Sequence, residues 1–124
     1  MLAELFIDNF VIIKRNHIYF EDGFNVLTGE TGSGKSLILE AINLLLGKRA
    51  DKDIVGRFAE KTLIEGVFEL NPKTKKILEN NNVVFDEDDN KLIVSRTISK
   101  KSSTLRINGR IANLTILREI SPIL

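Results

Sequence analysis

Phe24-Asn25-Val26-Leu27-Thr28-Gly29-Glu30-Thr31-Gly32-Ser33-Gly34-Lys35-Ser36 runs from a short apolar segment into a glycine-rich one, and the residues that follow, Leu37 to Leu46, are apolar except for Glu40 and Asn43. Gly29 to Ser36 fits G-x-x-x-x-G-K-[ST] at every fixed position. A chance match occurs in roughly 0.4% of chains this long at average residue usage. The order strand, glycine-rich turn, helix is the context that confirms a phosphate-binding loop. Each residue type has a physical task. Gly29, Gly32 and Gly34 permit the backbone angles that turn successive N–H groups, with those of Glu30, Thr31 and Ser33, toward phosphate oxygens. The helix that follows adds the positive end of its dipole. The Lys35 ammonium reaches the β- and γ-phosphates as a mobile point charge and is the catalytic candidate. The Ser36 hydroxyl is the metal ligand, completing a magnesium shell. ATP and Mg2+ are therefore the expected cofactors.

The P-loop helix is expected over about Lys35 to Leu46, buried on nearly every side because it is apolar on nearly every side, with Gly47 as C-cap. Upstream, Leu2 to Ile7 and Phe10 to Ile13 read as strands with Asp8-Asn9 as a turn or bulge between them, and His17 to Phe20 as a further short strand. Glu21-Asp22-Gly23 signals a turn before the strand Phe24 to Leu27. Downstream, Lys48 to Glu60 is polar and irregular, and Thr62 to Leu70 is a strand. Asn71-Pro72 opens a short helix that ends near Glu79. Asp86 to Asn90 is an acidic loop and Leu92 to Ile98 a strand. Asn108-Gly109 joins Leu105-Arg106-Ile107 to Arg110-Ile111-Ala112 as a hairpin. Asn113 is the expected cap of a last helix with Leu114, Leu117 and Ile120 on one face. Ser121-Pro122-Ile123-Leu124 reads as the start of another strand, so the chain is expected to be the N-terminal piece of something longer.

The 124 residues suit one domain. A composition that is 43% hydrophobic and 28% charged is that of a globular core former. Eighteen basic residues against 17 acidic ones leave a net charge of +1, so DNA contact would need a local patch. Without cysteine there is neither a disulfide nor a thiolate metal site. No apolar run approaches the ~20 residues of a membrane span. The first residues lack the pattern of a signal peptide, and a cytosolic protein is expected.

Hydrolysis requires more than a P-loop: an apolar strand ending in Asp to hold the magnesium shell, and a group that orients the attacking water. Val83-Val84-Phe85-Asp86-Glu87 has that outline, but its apolar run is three residues long and lies between asparagine and aspartate runs. It reads as a surface loop. The chain alone is expected to lack the residues for turnover.

Leu5-Phe6-Ile7-Asp8-Asn9-Phe10-Val11-Ile12-Ile13 resembles the I-x-N-F-x-x-I opening of SMC-like ATPases. Phe24 to Ser36, Ala41 to Ala50, the hairpin Arg106-Ile107-Asn108-Gly109-Arg110 and Leu117-Arg118-Glu119-Ile120 resemble corresponding stretches of the RecN family of bacterial DNA repair proteins. The resemblance spans nearly the whole chain. One departure is Ser33, where the family commonly has alanine. The resemblance implies an α/β fold, the N-terminal lobe (1–124) of an ABC/SMC-type P-loop ATPase head, incomplete, with a mixed sheet that is antiparallel in its N-terminal part and the P-loop helix on its central strand. It implies ATP held between two heads by homodimerisation, a C-terminal lobe supplying signature motif and Walker B strand, DNA as partner, no membrane, and a place in the bacterial cytoplasm at the nucleoid. It also carries a nucleotide-side and DNA-facing role to Arg49.

Two other readings compete. An ABC transporter lobe would use Tyr19 or Phe20 to stack on adenine. A non-catalytic assembly module would bind nucleotide only within a complex. Lys100, Lys101, Arg106 and Arg110 form either a DNA-facing ridge or ordinary charge on an exposed ribbon. Lys48 reads as a solvated loop residue, His17 as a strand surface residue and Phe10 as core. Lys35→Ala should weaken triphosphate binding and leave the fold intact; titration of MgATP alongside circular dichroism checks both, and an unfolded variant would invalidate the comparison.

Overall fold

The structure, a computed structural model, describes residues 2–20, 32–80, 83 and 90–123. Its strands are β1 (Leu2–Phe10), β2 (Ile13–Tyr19), β3 (Lys61–Glu69), β4 (Lys91–Ser99), β5 (Ser103–Ile107) and β6 (Arg110–Ala112). They form one sheet in the order β2-β1-β3-β4-β5-β6. Every pairing among the described strands is antiparallel; the strand expected at Phe24 to Leu27 lies outside the described residues. The helices are α1 (Gly32–Leu45), α2 (Pro72–Asn80) and α3 (Leu114–Ile120), with 3-10 turns at Lys52–Ile54 and Ser121–Ile123.

Period-two alternation decides which face is core. Leu5 and Ile7 of β1, Ile64 and Phe68 of β3, and Leu92, Val94 and Ile98 of β4 point inward and are buried. Ile38, Ala41, Ile42, Leu44 and Leu45 of α1 pack onto them. α1 lies on β3, the third of six strands, as expected for the P-loop helix. The approach is close at Gly66: a Cβ there would collide with Leu45 Cδ2 and stand 3.1 Å from Leu2 Cδ1. β3 gives up a side chain at this point so that the helix can sit down on it.

Local chemistry places the connections. Asn71 Oδ1 accepts from the Thr74 N–H at 2.8 Å and caps α2, and Asn113 Oδ1 accepts from the Ile116 N–H at 2.9 Å and caps α3. Asn108 and Gly109 both have positive φ, 51° and 83°, as the tight hairpin between β5 and β6 requires. Asn108 also ties that turn to β4: its N–H donates to the Ile93 carbonyl and its Oδ1 accepts from the Ile93 N–H, each at 2.8 Å.

Two expectations are corrected. Asp8-Asn9, expected as a turn or bulge, is not a turn: β1 runs on to Phe10, with Asn9 irregular at φ 56°, and the chain reverses at Val11-Ile12. Asn9 stays within the strand because its polar groups are met from across the sheet edge. Its Nδ2 donates to the Ala59 and Lys61 carbonyls at 2.9 and 3.0 Å, and its Oδ1 accepts from the Phe58 N–H at 2.9 Å. Ser121–Ile123 is a 3-10 turn rather than the start of a strand; Pro122 has a φ suited to a helical turn, and the Ser121 N–H still bonds the Leu117 carbonyl.

Gly66→Ala should cost about 1–3 kcal/mol through overpacking against Leu45. Urea unfolding would show this as a lowered midpoint, and an unchanged midpoint would mean that α1 moves off β3 freely.

Candidate nucleotide site and the helix that carries it

α1 begins at Gly32, three residues earlier than expected. The second half of the P-loop, Gly32, Ser33, Gly34, Lys35 and Ser36, is thus the opening of the helix itself, where the first four N–H groups have no partner within the helix. No acidic residue lies in this first turn, so its positive end is not already neutralised and fits an anion. Ser36 is exposed. Gly29, Glu30 and Thr31 lie outside the described residues. So do Glu21-Asp22-Gly23 and Val84 to Asp89; of the Val83 to Glu87 stretch, Val83 is described, its N–H donating to the Leu78 carbonyl at 3.0 Å.

The helix is not buried on nearly every side. Ser36, Leu39 and Asn43, spaced along one stripe, are exposed, Leu39 to 46%. A single sheet covers one flank of a helix, and in the described residues no second layer covers the other.

The far end of α1 is tied down more elaborately. Gly47 terminates the helix with φ 114°. Arg96 reaches up from β4 at 2% exposure. Its Nη1 donates to the carbonyls of Leu44 at 2.8 Å and Lys48 at 2.5 Å, and its Nη2 donates to Ser103 Oγ at 3.2 Å. Arg118 of α3 donates its Nε–H to the Gly47 carbonyl at 3.1 Å. Burial, and secondarily the charge of Arg118, lower the pKa of Arg96 from its ordinary value, yet a guanidinium stays protonated in proteins. Sequence reading passed over Arg96, although one signal existed: it occupies an inward position in the alternation Leu92, Val94, Arg96, Ile98.

Arg49 stands exposed just past this same end, beside a cleft of about 290 Å³ lined also by Arg96, Ser103 and Asn113. A 14-residue helix is roughly 20 Å long, so the structure separates the Arg49 backbone from the opening of its own P-loop helix. Lys48 is exposed, as expected. The expected basic cluster around the hairpin is divided. Lys100 and Lys101 line a groove of about 810 Å³ with Arg57 and Lys61, Arg106 is exposed on β5, and Arg110 of β6 pairs with Ile107 at the opposite end of β5. Phe10 is core. His17 lies on the outer sheet face, its Nε2 3.2 Å from Glu4 Oε1. Phe20 is 6% exposed and part of the core, while Tyr19 stacks on His17 with ring centroids 4.4 Å apart. Burial of Phe20 is at odds with the stacking role that the transporter reading gives it, while Tyr19 is 61% exposed.

The AAA domain family profile matches residues 4–121. The chain belongs to this family. Among curated relatives of this AAA domain chain, the DNA repair protein RecN of Halalkalibacterium halodurans is 43% identical over 97% of the chain, and that of Bacillus subtilis 40% identical over 100%. The chain spans 21% and 22% of the length of these two relatives. The likeness to the RecN family, read above from Phe24 to Ser36 and from the Arg-Ile-Asn-Gly hairpin, is borne out. Among solved structures, a chain from work on ATP-driven dimerisation and DNA-stimulated activation of SMC ATPases superposes with a TM-score of 0.76 at 21% identity, covering 99% of this chain and 80% of that one. The recombination mediator RecF bound to an ATP analogue gives 0.65 at 21% identity, over 94% of this chain and 29% of that one. The fold is that of SMC- and RecF-type ATPase heads. No helix among the described residues is long and apolar enough to cross a membrane.

Proposed function

We propose that residues 1–124 are the N-terminal, ATP-binding part of the ATPase head of a RecN-like protein that acts in DNA double-strand-break repair and recombination. One observation carries the reading: a sequence-complete P-loop motif, whose second half opens α1 with no acidic residue in its first turn, in a chain 43% identical to a RecN over 97% of its length. In this reading Gly29, Glu30, Thr31, Gly32, Ser33, Gly34 and Lys35 hold the phosphates of ATP, and Ser36 holds Mg2+. When bound, Mg2+ supplies charge neutralisation across the β- and γ-phosphates. Lys35 contributes a cation at the γ-phosphate, where negative charge gathers during transfer to water. Arg49, just past the other end of α1, keeps the nucleotide-side and DNA-facing role that the RecN likeness carries to it.

The exposed stripe of α1, with Leu39 at its centre, supports a C-terminal lobe of the same protein as the second layer. A second head and DNA complete the assembly, in the cytoplasm at the nucleoid. The catalytic glutamate and signature residues come from the parts that join this lobe. MgATP binding and turnover by the chain, with and without added C-terminal lobe, test the proposal. Binding without turnover, converted to turnover by the added lobe, is the expected result. Robust hydrolysis by the chain alone would overturn it and return Asp86-Glu87 as a working pair.

A further inference from the structure

Arg96 is the largest of the fully buried side chains and the one whose chemistry least suits its place. An ionised group removed from water needs compensation of equal quality. Among the described residues no carboxylate is paired with Arg96; Arg15 with Asp8 and His17 with Glu4 are ion pairs elsewhere. The compensation comes from the carbonyls of Leu44 and Lys48 at the C-terminal end of α1, where the helix dipole is negative and the last carbonyls lose their i+4 partners; the Leu44 carbonyl also accepts from the Gly47 N–H at 3.3 Å. The Nε–H is buried with no acceptor, so the site is not simply optimised for the comfort of the arginine. The fork spans the helix end: Nη1 reaches carbonyls on both sides of the Gly47 terminus, and Nη2 is fixed by Ser103 on the neighbouring strand β5. A planar guanidinium bound at both terminal nitrogens, Nη1 and Nη2, resists sliding and rotation of what it holds. α1 is a single unbroken helix from Leu45 back to Gly32.

We propose that Arg96 is a positioning residue for the phosphate-binding loop: anchored in β4, it fixes the height and rotation of α1 and thereby the N–H groups of the helix opening at Gly32 to Ser36. The proposal rests on the nucleotide site of the preceding section. Its first consequence, however, is visible without nucleotide.

The test compares the chain with Arg96→Met, which keeps bulk and removes the donors, and with Arg96→Lys, which keeps charge and removes the fork. Amide hydrogen exchange without nucleotide should accelerate across Ile38 to Leu45 in Arg96→Met, and much less in β1 and β2. The MgATP dissociation constant, measured at a temperature where circular dichroism shows each variant fully folded, should rise roughly tenfold in Arg96→Met, less than the ~100-fold that a 1 Å misplacement costs a reacting group. Arg96→Lys should fall between the two, and it carries both readouts if Arg96→Met does not fold. Unchanged exchange in α1 overturns the proposal. Equal affinities among fully folded variants overturn it as well, since they would leave Arg96 a structural role alone. Wild-type protein that binds no MgATP removes the nucleotide-site reading instead, and exchange in α1 then decides whether Arg96 holds the helix.

Discussion

The crossing of α1 over β3 sets the terms for everything around it. Leu45 sits where a side chain on Gly66 would be, so the helix lies nearer the sheet than any other residue there would allow. That closeness brings Leu44 and Leu45 down among Leu5, Ile7 and Ile64. It also puts the last carbonyls of the helix within reach of an arginine rooted in the next strand. A helix held higher would take the Leu44 and Lys48 carbonyls out of reach and leave the buried Arg96 only Ser103 Oγ to bond. The small residue and the buried cation are thus two halves of one arrangement, and the orientation of the P-loop end is its result.

Features written in adjacent residues were legible in the sequence. Asn108-Gly109 makes its turn because both positions take positive φ. Asn71 and Asn113 cap because a short amide can reach an N–H three residues on. Gly47 ends α1 because it lacks the Cβ that resists a left-handed angle. The P-loop motif places the candidate phosphate site at the start of that helix for the same reason: its spacing is local. The RecN and SMC likeness then supplied the architecture that local signals alone leave open.

What escaped the sequence depends on partners far along the chain. Asn9 looked like a turn former, and it is a strand residue because Ala59, Lys61 and Phe58, about fifty positions away, satisfy its amide. The uniform apolarity of Leu37 to Leu46 suggested burial all round, yet one stripe faces outward because, among the described residues, one layer alone covers the helix. Arg96 drew no notice in the sequence, because its reason to point inward, the carbonyls of Leu44 and Lys48, lies about fifty positions away. The cations near the hairpin were neighbours in sequence but are divided in space by the length of β5.

Arg96 acts on the phosphate site through mechanics and not through its field. Two unit charges ~20 Å apart interact by about 0.2–0.8 kcal/mol at an effective dielectric between 80 and 20. That distance is more than two Debye lengths at physiological salt, about 8 Å each, so screening removes most of what remains. The dipole of α1 carries no signal between its ends either, because its influence fades within the first and last turns. A rigid rod has no such decay. Carbonyls gripped at Leu44 and Lys48 fix the direction in which the N–H groups at the opposite end point, and a phosphate cradle is sensitive to direction. This division of labour lets one end of α1 be held by a buried cation and the other remain open to an anion, with neither charge disturbing the other.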